Sequence, residues 1–176
     1  VDGLLDRTVV KSNFEIQFTN TDSNTPIRHF KIFLDGKLTE TVDGEAPFGV
    51  EVSELSEGYH DLRAVAVANS RAAATTSKQL EFFVRTKGDH VKLVLSKKTT
   101  ILGQPITIKA VASDNQTVKI LHNSRVVTNI KSGSSGEIDS RLLGQGHSKL
   151  YGVIQVNGKA IASVPMSIHV LPHSDE

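Results

Sequence analysis

Phe30-Lys31-Ile32-Phe33-Leu34-Asp35-Gly36-Lys37 reads as an alternating strand, a two-residue turn and the basic residue that opens the next strand. Apolar side chains at every second position suit a strand with one buried face. Asp-Gly supplies the positive φ that a type I′ hairpin turn requires at both central residues. The pattern returns 88 positions later as Val118-Lys119-Ile120-Leu121-His122-Asn123-Ser124-Arg125. Working outward from both copies, Leu55, Gly58 and Leu62 match Leu143, Gly146 and Leu150 at the same offset. Ala64, Ala66, Ala68 and Asn69 then match Gly152, Ile154, Val156 and Asn157. By the last strand the offset is 86, with Leu80, Phe82 and Val84 meeting Met166, Ile168 and Val170, so one hairpin loop differs by two residues. A repeat of this length makes each copy a folding unit.

Both copies read as all-β. Phe14, Ile16 and Phe18 alternate with Glu15 and Gln17, Ile106 and Ile108 alternate with Thr107 and Lys109, and Asn157-Gly158 is a second strong hairpin signal. No stretch carries a 3.6-residue period, and Ser70 to Thr76 reads as a long hairpin loop between strands. About seven strands per copy at sandwich spacing predict two facing sheets. The expected core of the first copy is Phe14, Ile16, Phe30, Ile32, Leu34, Leu62, Ala64, Ala66, Phe82 and Val84. In the second copy it is Ile106, Ile108, Val118, Ile120, Leu150, Ile154, Met166, Ile168 and Val170. The fold expected is all-β, two tandem β-sandwich domains of residues 1–87 and 88–176, divided within the polar run Arg85 to His90.

Composition narrows the function. Twenty Lys and Arg against nineteen Asp and Glu give a net charge of +1 on 176 residues, without the basic surplus that nucleic-acid binding draws on. The absence of cysteine excludes disulfides, a Cys-ligated metal centre and a thiol nucleophile. The longest apolar run, Ala64 to Ala68, is far short of the roughly 20 residues of a membrane-spanning helix, so no membrane insertion is expected. A first residue Val1, with no initiator methionine and no signal-peptide pattern, suggests a portion of something larger.

The first copy resembles bacterial Ig-like domains of secreted and cell-surface proteins. The resemblance rests on Phe30 to Gly36, on Ala46-Pro47-Phe48, and on the run from Leu55 through Gly58, Tyr59, His60 and Leu62 to Ala66. It covers residues 28 to 85 well and reaches the second copy through the repeat. Such domains often place an Asp after the second alanine, where this chain continues Val67-Ala68-Asn69. The resemblance implies two tandem immunoglobulin-like β-sandwich domains forming an extracytoplasmic, non-catalytic spacer or adhesion module whose partners are neighbouring domains of its parent protein or another surface protein.

Candidate chemistry is thin. No histidine pair has the spacing of a helical zinc site, and His29, His122 and His169 fall on strands while His60 and His147 open the strand after a glycine bend. An enzyme would have to use His60 or His147 with a nearby carboxylate. Ser132-Gly133-Ser134-Ser135-Gly136 lacks the strand-to-helix context of a nucleophile turn and reads as a flexible loop. Calcium is the one cofactor considered, at Asp22-Ser23-Asn24, Asp114-Asn115 and Asp89, although none has the dense spacing of a calcium loop. Phe33, Phe48 and Tyr59 stand off the main core rows and are the candidate contact surface, with Tyr59 also placed as a corner tyrosine. The rival function, an accessory carbohydrate-binding domain, would need such rings to stack on sugar faces, and only nine aromatic residues are present.

Overall fold

A computed structural model describes residues 8–21, 24–69, 75–77, 79–88, 90–113 and 115–173. The chain divides into two compact units, one of residues 1–55 and 59–86, the other of residues 56–58 and 87–176.

The first unit contains β1 (Thr8–Val10), β2 (Phe14–Ile16), β3 (Ile27–Leu34), β4 (Lys37–Asp43), β5 (Phe48–Val50), β6 (Gly58–Ala68), β7 (Thr75–Thr76) and β8 (Leu80–Val84). One sheet has the order β1-β8-β6-β3-β4, with β7 pairing the second half of β6, and β2 with β5 forms the other. All pairings are antiparallel except that of β1 with β8, where Thr8, Val9 and Val10 run parallel to Phe82, Phe83 and Val84.

The second unit contains β9 (Val91–Leu95), β10 (Thr99–Ile101), β11 (Pro105–Ala112), β12 (Thr117–His122), β13 (Arg125–Lys131), β14 (Ser135–Asp139), β15 (Gly146–Val156), β16 (Lys159–Ala162) and β17 (Met166–Leu171). Its sheets have the orders β10-β17-β15-β12-β13 and β14-β11-β9, with β16 on β15, and again the short strand β10 runs parallel to the last strand β17. Apart from β9, which has no counterpart among the described strands of the first unit, consecutive strands change sheets in the same places in both units, and a short early strand runs parallel to the last strand at one border of each larger sheet. Both units are immunoglobulin-like β-sandwiches.

The 88-residue offset survives in three dimensions, since β4 and β13, and β6 and β15, begin and end that distance apart. Strand counts exceed the seven expected because strands as short as β1, β10 and the two-residue β7 carry too few residues to show an alternation. The inward rows are as expected, with Ile16, Ile32, Leu62, Ala64, Phe82 and Val84 fully buried in the first unit and Ile106, Ile108, Val118, Ile120, Leu150 and Val170 in the second. Phe14, Leu34, Ala66 and Met166 are only partly buried and pack against these clusters. The serine-rich stretch is built structure rather than a flexible loop. Ser132 Oγ accepts from Ala112 N at 2.8 Å and donates to Ala112 O at 3.1 Å, and Gly136 lies within β14. Residues 70–74 of the expected hairpin loop lie outside the described residues.

One device recurs in both copies. The long strands β6 and β15 pair with a short hairpin partner along their second half and with the last strand along their first half. Where the partner changes, a serine completes the ladder. Ser77 Oγ accepts from Ala64 N at 2.8 Å and Ser77 N donates to Ala64 O at 2.7 Å. Ser163 Oγ accepts from Gly152 N at 2.9 Å and Ser163 N donates to Gly152 O at 2.8 Å. Backbone groups that would otherwise be buried and unpaired are thereby satisfied.

Candidate functional site

The outward face of the first unit's larger sheet follows from strand parity. On β3 the side chains of Phe30 and Ile32 are buried, which turns His29, Lys31 and Phe33 to the other face. Phe33 is opposite Arg63 on β6 and opposite Leu38 on β4, just past a bulge at Ile32/Phe33. Leu38, Phe33 and Arg63 therefore form a row across three strands. Leu38 is 55% exposed, and the Arg63 guanidinium lies 5.1 Å above the centre of the half-buried Phe33 ring. That cation–π contact is worth about 0.5–2 kcal/mol, depending on its desolvation. Arg63 Nε is buried without a hydrogen-bond acceptor.

Of the three aromatic residues expected at a contact surface, Phe33 lies on this face, and so by the alternation of β6, where Leu62 and Ala64 point inward, does Tyr59. Phe48 is 4% exposed and belongs to the core, because β5 pairs with β2 so that Phe48 is opposite the fully buried Ile16. Tyr59 is half-buried and meets Phe83 edge to face at 4.9 Å. In the second unit Tyr151 ties down a turn, its Oη donating to Asn123 O at 2.6 Å. Leu38 and Arg63 were missed in the sequence because their neighbours are set by cross-strand register.

The histidines are held in distinct ways. His60 Nδ1 lies 2.7 Å from Asp35 Oδ2, while Asp35 Oδ1 accepts from Asp61 N at 3.0 Å and the His60 ring stacks on Phe82. The carboxylate thus ties the β3–β4 turn, where Asp35 has φ 50°, to the start of β6. With its side chain 10% exposed, His60 is a pin between turn, strand and core. His147, at the start of β15, lies ring against ring with His169.

A depression of about 730 Å³ opens at the β12–β13 turn of the second unit, lined by His122, Asn123, Ser124, Arg125 and residues 141–144. Arg125 Nη2 donates to Leu142 O, and Arg141 Nε donates to Asp139 Oδ2 at 2.8 Å. Burial, then the nearby Arg125 charge, hold the His122 pKa below its usual 6.5, against a hydrogen bond to the Leu142 backbone. The Arg141 hydrogen bonds hold the Asp139 carboxyl below the usual carboxylate range. The arrangement suits polar contact, and its arginines are already engaged with the protein's own oxygens.

Asp22, Ser23, Asp89 and Asp114, named above for calcium, lie outside the described residues, while Asn24 and Asn115 are exposed. Among the described residues no group of three or more His, Asp or Glu is placed to hold a metal ion, and no helix is long and apolar enough to cross a membrane.

No protein-family model matches the chain, and no curated protein matches it. Among solved structures it is similar to the fibronectin(III)-like modules of Clostridium thermocellum CbhA, at 18% identity and a TM-score of 0.39 over 97% of this chain and 94% of that one. It is also similar to the tandem Ig repeats of Dlar, at 11% identity and a TM-score of 0.36 over 98% of both chains. A third similarity is to the Bacteroides ovatus mixed-linkage glucan utilization locus protein SGBP-B, solved with a mixed-linkage heptasaccharide, at 16% identity and a TM-score of 0.42 over 97% of this chain and 44% of that one. Likeness at this level carries no ligand, partner or activity over to this chain.

Proposed function

We propose that the chain is a non-catalytic tandem module of a larger bacterial secreted or cell-surface protein, its two sandwiches spanning residues 1–87 and 88–176. The observation that carries this reading is the parallel pairing of β1 with β8 and of β10 with β17. Tension applied through the two ends of a unit pulls such strands in opposite directions along their length. Their hydrogen bonds are then sheared together instead of being peeled one by one. That geometry suits a spacer held under extension between neighbours in a longer polypeptide. The row of Leu38, Phe33 and Arg63 is the surface offered to a neighbouring domain or another surface protein.

Single-molecule stretching of the full chain by its ends tests the spacer half. Two discrete unfolding events are expected, each releasing about 25–30 nm, since an extended residue spans about 3.3–3.6 Å. Smooth extension without discrete events overturns it. Hydrogen exchange tests the contact half by comparing the chain alone with the chain inside its parent polypeptide. Slowed exchange across Lys37 to Asp43 is expected, and unchanged exchange there removes the contact.

A further inference from the structure

His147 and His169 are directly opposite one another on β15 and β17. The His169 N–H donates to Lys98 O at 2.9 Å, so the backbone polar groups of His169 point toward β10 and away from β15. The two histidines are therefore a non-hydrogen-bonded cross-strand pair, the type whose Cα atoms approach to about 4.5 Å and whose side chains run side by side. Their ring centres are 4.1 Å apart and the planes differ by 11°. His147 is exposed and His169 half-buried, so both rings meet solvent. On the same face are Lys149 two residues along β15, Ser167 and Leu171 on β17, and Thr99, which pairs with His169 from β10. Lys98 precedes Thr99.

We propose that this pair is a chelating site for a divalent transition-metal ion of the copper, nickel or zinc class, with water completing the coordination. Imidazole nitrogens suit these borderline ions, whereas calcium and magnesium require several oxygen ligands, and the described strand neighbours on the same face as the pair include no carboxylate. With metal–nitrogen bonds of about 2.0–2.1 Å, two nitrogens on a tetrahedral ion are about 3.3 Å apart. The rings reach that spacing by opening their stack about the Cβ–Cγ bonds, torsions with broad energy wells, until one nitrogen of each converges on the ion. The ion competes with protons for those nitrogens, so binding weakens in acid. Lys149, on the same face, opposes the added charge, and the affinity order is expected to lead with copper. Bound metal clips the final strand to the centre of its sheet, in a chain that has no cysteine for a disulfide.

The test uses the full chain without an affinity tag, titrated separately with the chlorides of copper(II), nickel, zinc and calcium. Histidine ring resonances are followed with the diamagnetic zinc ion, and thermal melting with all four. Saturable one-to-one binding is expected, with ring shifts confined to His147 and His169 and a melting temperature raised by the transition metals and not by calcium. His147→Gln and His169→Gln should each weaken binding at least tenfold. If a variant fails to fold, the wild-type ring assignments still decide. No response to copper at millimolar concentration, shifts centred on another histidine, or full binding in either folded variant overturns the site.

Discussion

Gly152 in β15 is a buried glycine whose backbone conformation an ordinary residue can adopt, yet it has no room for one more carbon. A Cβ built there lies 2.8 Å from Val118 Cγ1, 3.0 Å from Leu93 Cδ2 and 3.1 Å from Val91 Cγ1. Carbon atoms prefer about 3.5–4.0 Å, so the closest contact must relax by about 0.7 Å. The three methyls come from β9 and β12, and their residues are at most 5% exposed, so none retreats without pressing on the core. Overpacking of this kind costs about 1–3 kcal/mol. Against it stands the about 0.4–1 kcal/mol gained by replacing glycine in the unfolded chain. Gly152→Ala should therefore destabilise the second unit by about 1–2 kcal/mol, lowering its melting temperature by about 4–8 °C per kcal/mol for a unit of this size. Two controls bracket the measurement by calorimetry on the full chain. Gly136→Ala meets Ile130 Cγ1 at 3.0 Å and Cδ1 at 3.1 Å, contacts with one side chain instead of three and none as short as 2.8 Å, and should cost less. Gly49→Ala meets nothing within 4 Å and should leave the first unit unchanged or slightly more stable. A Gly152→Ala chain that melts at or above the wild-type temperature would refute the reasoning.

Thr100 is 4% exposed and its Oγ1 has no hydrogen-bond partner, so Thr100→Val should stabilise the second unit by about 1 kcal/mol in chemical denaturation. Ser163→Ala removes the acceptor of Gly152 N at a site 1% exposed and should cost about 1–3 kcal/mol, while Ser77→Ala at the half-buried equivalent should cost less. Because the folded chain holds the His122 pKa below 6.5, its unfolded form binds the proton more readily. That contribution to stability is complete above pH 6.5 and is lost as pH falls through the lowered value, so His122→Gln should flatten the melting temperature against pH in that window.

The long strands were legible because each carries its own alternation, and the hairpin turns because Asp35-Gly36 and Asn157-Gly158 take the positive φ that such residues tolerate. What escaped the sequence is set by register between distant segments. Phe48 was misread because the three residues of β5 are too few to show which parity faces Ile16. The row of Leu38, Phe33 and Arg63 depends on two strand pairings and a bulge, and the His147–His169 contact joins positions 22 apart with no spacing motif. The two serines were recoverable, since Ser77 and Ser163 keep the offset of 86 that the last strands already showed. Strands β1 and β10 gave no local sign, because their partners come at the far end of each copy.

That last arrangement also sets an order of events during synthesis. Thr8 must wait for Phe82, 74 residues downstream, before its strand has a partner. At about 5–20 residues per second the first strand is out of the ribosome for about 4–15 s with its edge unpaired. The local β3–β4 hairpin needs only microseconds once made. The nascent first unit therefore passes through a stage in which its central strands are assembled and its border is open, and completion of β8 ends that exposure.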